Sequence, residues 1–197
     1  GLDRRETERD PQPGKEDNLQ NQIYALYEDP SGNFWVGTCN GLFLFDRKSG
    51  IFHASAINRH IPADKYRWIH HITEDSEGLL WIGTHWGLFQ YKFTSGEITN
   101  YLPLDVSQSI NDGNQYNTNL SNLFVMSIIE SQENKERSLW VTTRWGLNKF
   151  DFESREFVNI YTDPENPESL GTNFLMDAYL DEAGQLWIAT TDGGIAM

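Results

Sequence analysis

Short apolar runs separated by polar turns recur along the chain. The runs are rich in aromatic and β-branched residues and end at Gly, Ser, Asp or Asn, a pattern typical of antiparallel strands joined by hairpins. No segment keeps a helical period over about eleven residues or more. The first run of each group ends in a polar turn: IYALYEDPSG, IHHITEDSEG, VMSIIESQEN and LMDAYLDEAG. The pattern predicts a fold made of short β-strands.

A tryptophan motif follows each of these runs. It reads FWVGTCNGLFLF from Phe34, LWIGTHWGLFQY from Leu80, LWVTTRWGLNKF from Leu139 and LWIATTDGGIAM from Leu186. A glycine stands six residues after each tryptophan, in the pairs Trp35 and Gly41, Trp81 and Gly87, Trp140 and Gly146, and Trp187 and Gly193. We expect this glycine to permit a tight turn or a close backbone approach. Two further short runs after it complete a unit of four strands.

Four-stranded units that repeat about every 45 residues, with one aromatic motif each, are typical of a β-propeller. We therefore predict an all-β fold, a partial β-propeller of four-stranded antiparallel blades, with about three and a half to four blades. Residues 1–17 are a polar N-terminal lead-in, and residues 18–197 hold blades at about 19–56, 66–102, 120–162 and 171–197. One small sheet cannot bury both of its faces alone, so we expect four residues to pack between neighbouring blades: Trp35, Trp81, Trp140 and Trp187.

The last unit predicts a partner. It stops at Met197, inside its third strand. Propellers leave few unprotected edges, because unpaired strands recruit other chains. We expect the partner to be the remainder of a longer propeller or a second copy of the chain.

The chain is acidic, with 15 basic and 29 acidic side chains and a formal net charge of −14. Such a charge repels nucleic acid and anionic membranes. A single cysteine, Cys39, excludes an internal disulfide and a cysteine-based zinc site. The longest apolar run, at residues 123–129, is too short to span a bilayer. We expect no nucleic-acid partner, no membrane contact within this chain, no metal site and no cofactor.

The repeat resembles the two-component regulator propeller repeat. The second copy, EDSEGLLWIGTHWGLFQY, matches best, and SLGTNFLMDAYLDEAGQLWIATTDGG also fits, whereas the third copy has Ser131-Gln132 in place of Asp and Thr142 in place of Gly. The resemblance implies a periplasmic or extracellular sensor region of a hybrid two-component histidine kinase that is membrane-anchored in its full length. It also implies an oligosaccharide or another small polar molecule as the ligand.

Candidate ligand-binding residues lie where the repeats differ. The loops at the end of the blades that carries the turn between the second and third strands vary, while the frame repeats. Trp86 and Trp145 offer flat faces for a sugar ring, with hydrogen bonds from His85, Arg144 and Asn40. Alternatively, these two tryptophans pack under the long loops. Two polar side chains at equivalent places on the innermost strands, His71 and Asp177, are expected to line the central channel.

We predict that the chain is not an enzyme, and that any kinase activity lies outside it. It has no nucleophile elbow, no phosphate-binding glycine loop and no His-Glu zinc motif. Two alternatives remain open. One is a propeller enzyme similar to the streptogramin lyases, for which His71 and His85 are the pair in question. The other is a protein-interaction or dimerisation scaffold that takes no small molecule.

Overall fold

The computed structural model describes residues 22–62, 65–105, 119–133, 136–166 and 168–197. The described strands are antiparallel and form four consecutive sheets, each paired in chain order. The first three sheets have four strands and the fourth has three. We number these sheets as the first to fourth blades. This architecture confirms the predicted all-β, partial propeller. The predicted lead-in at 1–17 and parts of the connections at 56–67 and 103–122 lie outside the described residues.

The strands are short, and each blade repeats the same order of four. The first blade contains β1 (Ile23–Glu28), β2 (Phe34–Thr38), β3 (Gly41–Asp46) and β4 (Ile51–Ala54). The second contains β5 (Ile69–Glu74), β6 (Leu80–Thr84), β7 (Gly87–Lys92) and β8 (Glu97–Tyr101). The third contains β9 (Val125–Glu133), β10 (Glu136–Thr143), β11 (Gly146–Asp151) and β12 (Phe157–Ile160). The fourth contains β13 (Leu175–Leu180), β14 (Leu186–Thr190) and β15 (Ile195–Ala196), and a short 3-10 helix at Ala56–Arg59 follows the first blade.

The repeated tryptophan lies on the second strand of each blade and faces the next blade along the chain. Trp81 is fully buried and packs on Phe150 of the third blade, with ring centres 5.5 Å apart. Trp35 is 6% exposed and packs on Phe93, which follows β7, at 5.6 Å. Trp140 is half-buried against the core shared by the third and fourth blades. Trp187 is 38% exposed, because no described residue covers that side of the fourth blade.

An aspartate six residues before the tryptophan fixes the turn between the first two strands. In the second blade, Asp75 accepts hydrogen bonds from the backbone N–H groups of Glu77 and Leu79 through Oδ1 and from Trp81 Nε1 through Oδ2. Asp29 and Asp181 make the same set of contacts in the first and fourth blades. In the third blade a hydroxyl replaces the carboxylate, since Trp140 Nε1 donates to Ser131 Oγ at 3.0 Å. The acidic turns thus cap backbone groups and anchor the indole.

Hydrogen bonding also lowers the pKa of two of these carboxylates, Asp29 and Asp181. Burial raises the pKa of Asp29, but the bonds from Trp35, Asn33 and Ser31 outweigh burial and hold that pKa below its usual value. At Asp181, which is exposed, the bond from Trp187 is the main cause of a lowered pKa. The indole and the aspartate therefore stabilise each other.

The turn between the second and third strands is built from a threonine and a glycine. Thr84 Oγ1 donates to the carbonyl oxygen of Gly87 and accepts from the backbone N–H of Trp86, and Thr38 and Thr143 make the same donation to Gly41 and Gly146. These glycines have φ of 119°, 88° and 109° in the first, second and third blades. The end of the blades that carries these turns is called the turn face below.

The fourth blade departs from the predicted spacing. Thr190 Oγ1 donates to Gly194 rather than to Gly193, and Gly194 has the left-handed backbone, with φ of 76°. Gly193 stands six residues after Trp187 in the sequence, but the turn here is one residue longer. Equating Gly193 with Gly41, Gly87 and Gly146 was therefore wrong, because an inserted residue moves the strained position along the chain.

Candidate functional site

Aromatic residues gather at the turn face because of where each blade begins. The residue just before the first strand is aromatic in the second, third and fourth blades: Trp68, Phe124 and Phe174. Its carbonyl oxygen accepts a hydrogen bond from the backbone N–H of the first turn residue of the same blade, namely His85, Arg144 and Thr191, at 3.0, 3.0 and 2.9 Å. Each blade therefore holds a connection residue and a turn residue side by side.

Ring contacts join these pairs into one surface. Trp68 lies 4.7 Å from His85 between ring centres, and His85 lies 4.6 Å from both His70 and Phe124. On the other side, Trp68 stacks on Tyr24 of the first blade at 5.4 Å and meets Tyr66 edge-on at 5.9 Å. We call this continuous group the aromatic strip, which consists of Tyr24, Tyr66, Trp68, His70, His85 and Phe124. It crosses from the first blade to the third.

The strip is open to solvent at one end and buried at its centre. Tyr66 is 73% exposed and Tyr24 is 39% exposed, whereas His85 is only 8% exposed. Trp68 is half-buried between these extremes. Trp68 is fixed by Tyr24 on one side and by His85 on the other, so its ring is held in place before any ligand arrives.

The two imidazoles of the strip are neutral at physiological pH. Burial, with help from the positive charge of Arg144, lowers the pKa of His70 to about 4. Burial lowers the pKa of His85 to about 3, with smaller contributions from His70 and Arg144. The Nε2 atoms of both rings are buried and have no hydrogen-bond partner among the described residues. A buried polar atom without a partner is costly.

Two arginines lie beside the strip. The guanidinium of Arg144 stands 5.5 Å from the centre of the Phe124 ring, and the side chain is exposed. Arg67 lies between Tyr66 and Trp68 in the chain, is half-buried, and its Nε has no hydrogen-bond partner among the described residues. Neither forms an ion pair within the part of the chain that the structure describes.

Some of the residues predicted from the sequence come together here. His85 is the centre of the strip, and Arg144 stands at its third-blade end. Asn40 is exposed on the turn of the first blade, and its backbone forms a parallel bridge with Arg67. Trp145 is 47% exposed and meets Phe174 edge-on at 5.2 Å, which makes a second, smaller aromatic surface between the third and fourth blades.

Other predicted residues lie apart from the strip. His71 and Asp177 occupy equivalent places on the innermost strands, opposite Gly83 and Ala189. Burial lowers the pKa of His71, and the negative charge of Asp177 acts against that shift, so the two side chains interact electrostatically. The histidine that contacts His85 is His70, not His71. The pairing of His71 with His85 was therefore wrong, because neighbouring residues on a strand point to opposite faces.

The structure also corrects the assignment of Trp86. This side chain is 7% exposed and belongs to the core between the first and second blades, with Ile57, Ile61 and Leu102. The ammonium group of Lys65 stands 5.6 Å from its ring centre. His85 reaches the strip and Trp86, the next residue, reaches the core, so Trp86 offers no open face to a sugar. The alternative of packing under the loops describes it correctly.

The sequence pattern did not predict five residues at this surface: Trp68, Tyr24, Tyr66, Phe124 and Arg67. A signal for two of them was present, since an aromatic residue precedes the first strand in three of the four repeats. The position just before each strand was assigned no role, and its contact with the turn of the same blade follows only from the antiparallel pairing of the first and second strands.

Comparisons with known proteins agree with this architecture. Residues 19–40 and 65–86 match the family described as two component regulator propeller, so the first two blades are similar to repeats of that family. No curated protein matches the chain. Among the described residues, no helix is both long and apolar enough to cross a membrane.

Two solved structures illustrate the fold. One is the extracellular domain of a protein described as the hybrid two component system BT4673 from B. thetaiotaomicron, with 24% identity, a TM-score of 0.66, and coverage of 88% of this chain and 21% of that one. The other is virginiamycin B lyase from Staphylococcus aureus, with 15% identity, a TM-score of 0.55, and coverage of 91% and 56%. The chain thus spans about a fifth of the length of the first structure. At these identities the likeness shows the propeller fold.

Proposed function

We propose that this chain is the ligand-sensing part of a hybrid two-component signalling protein, exposed to the periplasm or the outside of the cell, and that the aromatic strip binds an oligosaccharide. The repeat family and the likeness to an extracellular domain support the setting. In this proposal the membrane anchor and the histidine kinase belong to the full-length protein, and this chain performs no catalysis.

The observation that carries the proposal is the continuity of the strip. Six rings from three blades touch in sequence on the turn face, and at least two of them, Tyr24 and Tyr66, are widely exposed. Contiguous exposed aromatic surface on a soluble domain marks a binding site more often than chance exposure does. Rigid aromatic faces suit the apolar face of a pyranose ring. Tyr24 and His70 lie on strands, and the ring contacts hold Trp68 between Tyr24 and His85, so little entropy is lost on binding.

A lyase-like enzyme is the second candidate, and the contact between His70 and His85 is the observation that favours it. Two neutral imidazoles 4.6 Å apart could share a metal ion. However, Arg144 lowers the pKa of both rings, which means that its positive field reaches them and opposes a cation there. Metal binding at neutral pH would overcome this field only with acidic ligands, and no carboxylate acts on either imidazole. The observations therefore support the sensor function better than an enzymatic function.

Replacing Trp68 by Ala is expected to weaken oligosaccharide binding by tenfold or more, because it removes the central platform of the strip. A tenfold loss corresponds to about 1.4 kcal/mol, within the range for an aromatic stacking contact and its lost area. Calorimetric titration of the purified chain with a panel of neutral and acidic oligosaccharides would measure it. Trp187→Ala serves as the control, since Trp187 is also partly exposed but lies on the fourth blade away from the strip. Failure of every oligosaccharide to bind, or equal binding by Trp68→Ala, would refute the proposal.

We also propose that the open sides of the first and fourth blades are covered by further blades of this repeat, from the rest of the propeller or from a second copy. The first blade presents an apolar face with no described neighbour, formed by Leu26, Phe34, Val36, Phe43, Phe45 and Phe52. The equivalent face of the second blade packs against Trp35. On the fourth blade, Tyr179 and Trp187 face outward, 64% and 38% exposed. Each interface between the described blades joins an indole-bearing face to an apolar face. The two open sides present one face of each kind.

Sedimentation of the isolated chain over a range of concentrations tests whether a second copy covers these open sides. We expect reversible association that Leu26→Glu or Tyr179→Glu weakens, because each places a charge in one of the two open faces. Val158→Glu is the control, at an exposed apolar position on the outermost strand of the third blade. A monomer at all concentrations, with equal behaviour of the variants, would count against cover by a second copy. In that case a longer chain with neighbouring blades should have a larger free energy of unfolding than this chain. An equal free energy of unfolding would refute the proposal.

A further inference from the structure

Positive charge next to the aromatic strip is at odds with the rest of the molecule. The chain has a formal net charge of −14. Arg47 pairs with Glu28 at 2.6 Å, and Arg137 pairs with Glu130 at 2.7 Å and also meets Glu77 and Asp75. Arg67 and Arg144, like Arg59 and Arg155, have no such partner among the described residues. Of these four, Arg144 has its exposed guanidinium over a ring of the strip, 5.5 Å from the centre of Phe124. An acidic protein thus leaves unpaired guanidinium groups, one of them at its aromatic surface.

No acidic side chain offsets these guanidinium groups inside the strip. The charged and titratable groups acting on His85 are His70 and Arg144, and the one acting on His70 is Arg144. The carboxylate of Asp177 acts on His71 instead. Any anion that reaches the strip therefore meets guanidinium groups and neutral imidazoles, without a carboxylate that repels it.

We propose that the ligand of the aromatic strip is an acidic sugar, an oligosaccharide containing a uronic acid, whose carboxylate pairs with Arg144 while a neighbouring ring stacks on Trp68. This inference rests on the proposed function, and it adds the chemical class of the ligand. The planar guanidinium presents two parallel N–H donors that match a carboxylate, and such a pair gives both charge and orientation.

The geometry suits a short oligosaccharide rather than a single sugar. Trp68 contacts His85, His85 contacts Phe124, and Arg144 stands over Phe124. The platform and the guanidinium are therefore separated by two ring-to-ring contacts, and a ligand that uses both must extend along the strip.

The overall charge limits how acidic the ligand is. A net charge of −14 repels a polyanion at long range, and this repulsion grows with the number of charges on the ligand. Pairing with one or two guanidinium groups compensates a ligand of equally low charge. A short uronic acid oligomer meets this condition better than a densely sulfated or phosphorylated chain.

The test compares oligomers of galacturonic, glucuronic and mannuronic acid with their methyl esters, which keep the ring and lose the charge. Calorimetric titration of the purified chain should show at least one acidic oligomer binding tenfold or more tighter than its ester. Arg144→Gln should weaken the acidic oligomer to the level of the ester and leave the ester unchanged. Arg155→Gln, at an exposed arginine of the same blade, is the control and should change neither.

Dependence on pH gives a second measurement. The pKa values of about 4 and 3 keep His70 and His85 neutral, so only the arginines supply charge, and the affinity for the acidic oligomer should stay level between about pH 6 and pH 8. An affinity that rises steeply as the pH falls through this window would overturn the assignment, because an imidazolium would then be pairing with the ligand.

The outcomes separate this inference from the proposed function. If neutral oligosaccharides bind as tightly as acidic ones, with loss on Trp68→Ala but none on Arg144→Gln, the ligand class is wrong and the sensor function remains. Binding restricted to sulfated sugars would also overturn the uronic acid. If no oligosaccharide binds at all, the proposed function fails first and the inference falls with it.

Discussion

Replacing Trp81 by Ala is expected to lower the free energy of unfolding by about 3–5 kcal/mol, whereas the same change at Trp187 should lower it by only about 1 kcal/mol. Both indoles occupy the same place in the repeat, and both donate from Nε1 to an aspartate at 2.8 Å. They differ in burial, since Trp81 is fully buried and Trp187 is 38% exposed. The difference between the two variants therefore measures what closing a neighbouring blade over the indole contributes.

Urea unfolding followed by circular dichroism would check this pair. Trp81→Phe should fall between the wild type and Trp81→Ala, because it keeps ring packing on Phe150 but loses the bond to Asp75. Asp75 would then keep its backbone partners but lose one buried donor. Equal losses at Trp81 and Trp187 would show that the indole stabilises its own blade alone, and that packing between blades does not hold the propeller sector together.

The blade could be predicted from the sequence because its determinants are local. The distance from tryptophan to glycine, the alternation of apolar residues and the polar turns all lie within about 25 residues of each other, and every copy repeats them. The hydrogen bond from Trp81 to Asp75 is local too, and it recurs as an aspartate six residues before the tryptophan in three blades. Repetition turns these weak signals into a strong one.

The candidate site could be predicted only in part, because it is not local. His85 and Arg144 were found as turn residues that vary between repeats. His85 contacts Phe124 of the third blade, and nothing in the chain order places Tyr24 of the first blade beside Trp68 of the second. The direction in which a turn side chain points could not be predicted from the sequence either. His85 and Trp86 are adjacent in sequence, and only the packing of the first two blades decides which of them is buried.

The fourth blade shows a limit of a different kind. A rule that counts residues assumes turns of equal length, and one additional residue between Thr190 and Gly194 breaks it without disturbing the hydrogen bond that defines the turn. The physical requirement is a residue that tolerates a positive φ where the threonine bond closes. Counting predicts its position only when the turn length stays constant.

That requirement leads to the second large effect. Gly87→Ala is expected to lower the free energy of unfolding by about 3–5 kcal/mol, the sum of a left-handed backbone strained by a side chain and of overpacking. Gly87 has φ of 88°, and a β-carbon there would collide with the carbonyl oxygen of Tyr101 and lie 2.7 Å from Cδ2 of Leu102. Its N–H also donates to the carbonyl oxygen of Leu123 at 2.8 Å, so the backbone has little room to move away.

Gly96→Ala provides the matched control for this change. Gly96 has a similar φ of 71°, but a β-carbon there would meet no atom within 4 Å. Only the backbone strain remains, and we expect a loss of about 1 kcal/mol. Chemical unfolding of both variants separates strain from collision. Because the turn that contains Gly87 also holds His85 against Trp68, Gly87→Ala should in addition weaken oligosaccharide binding, while Gly96→Ala should not. Similar losses of stability in the two variants would mean that the close approach to Tyr101 and Leu102 is relieved at little cost and does not define the turn.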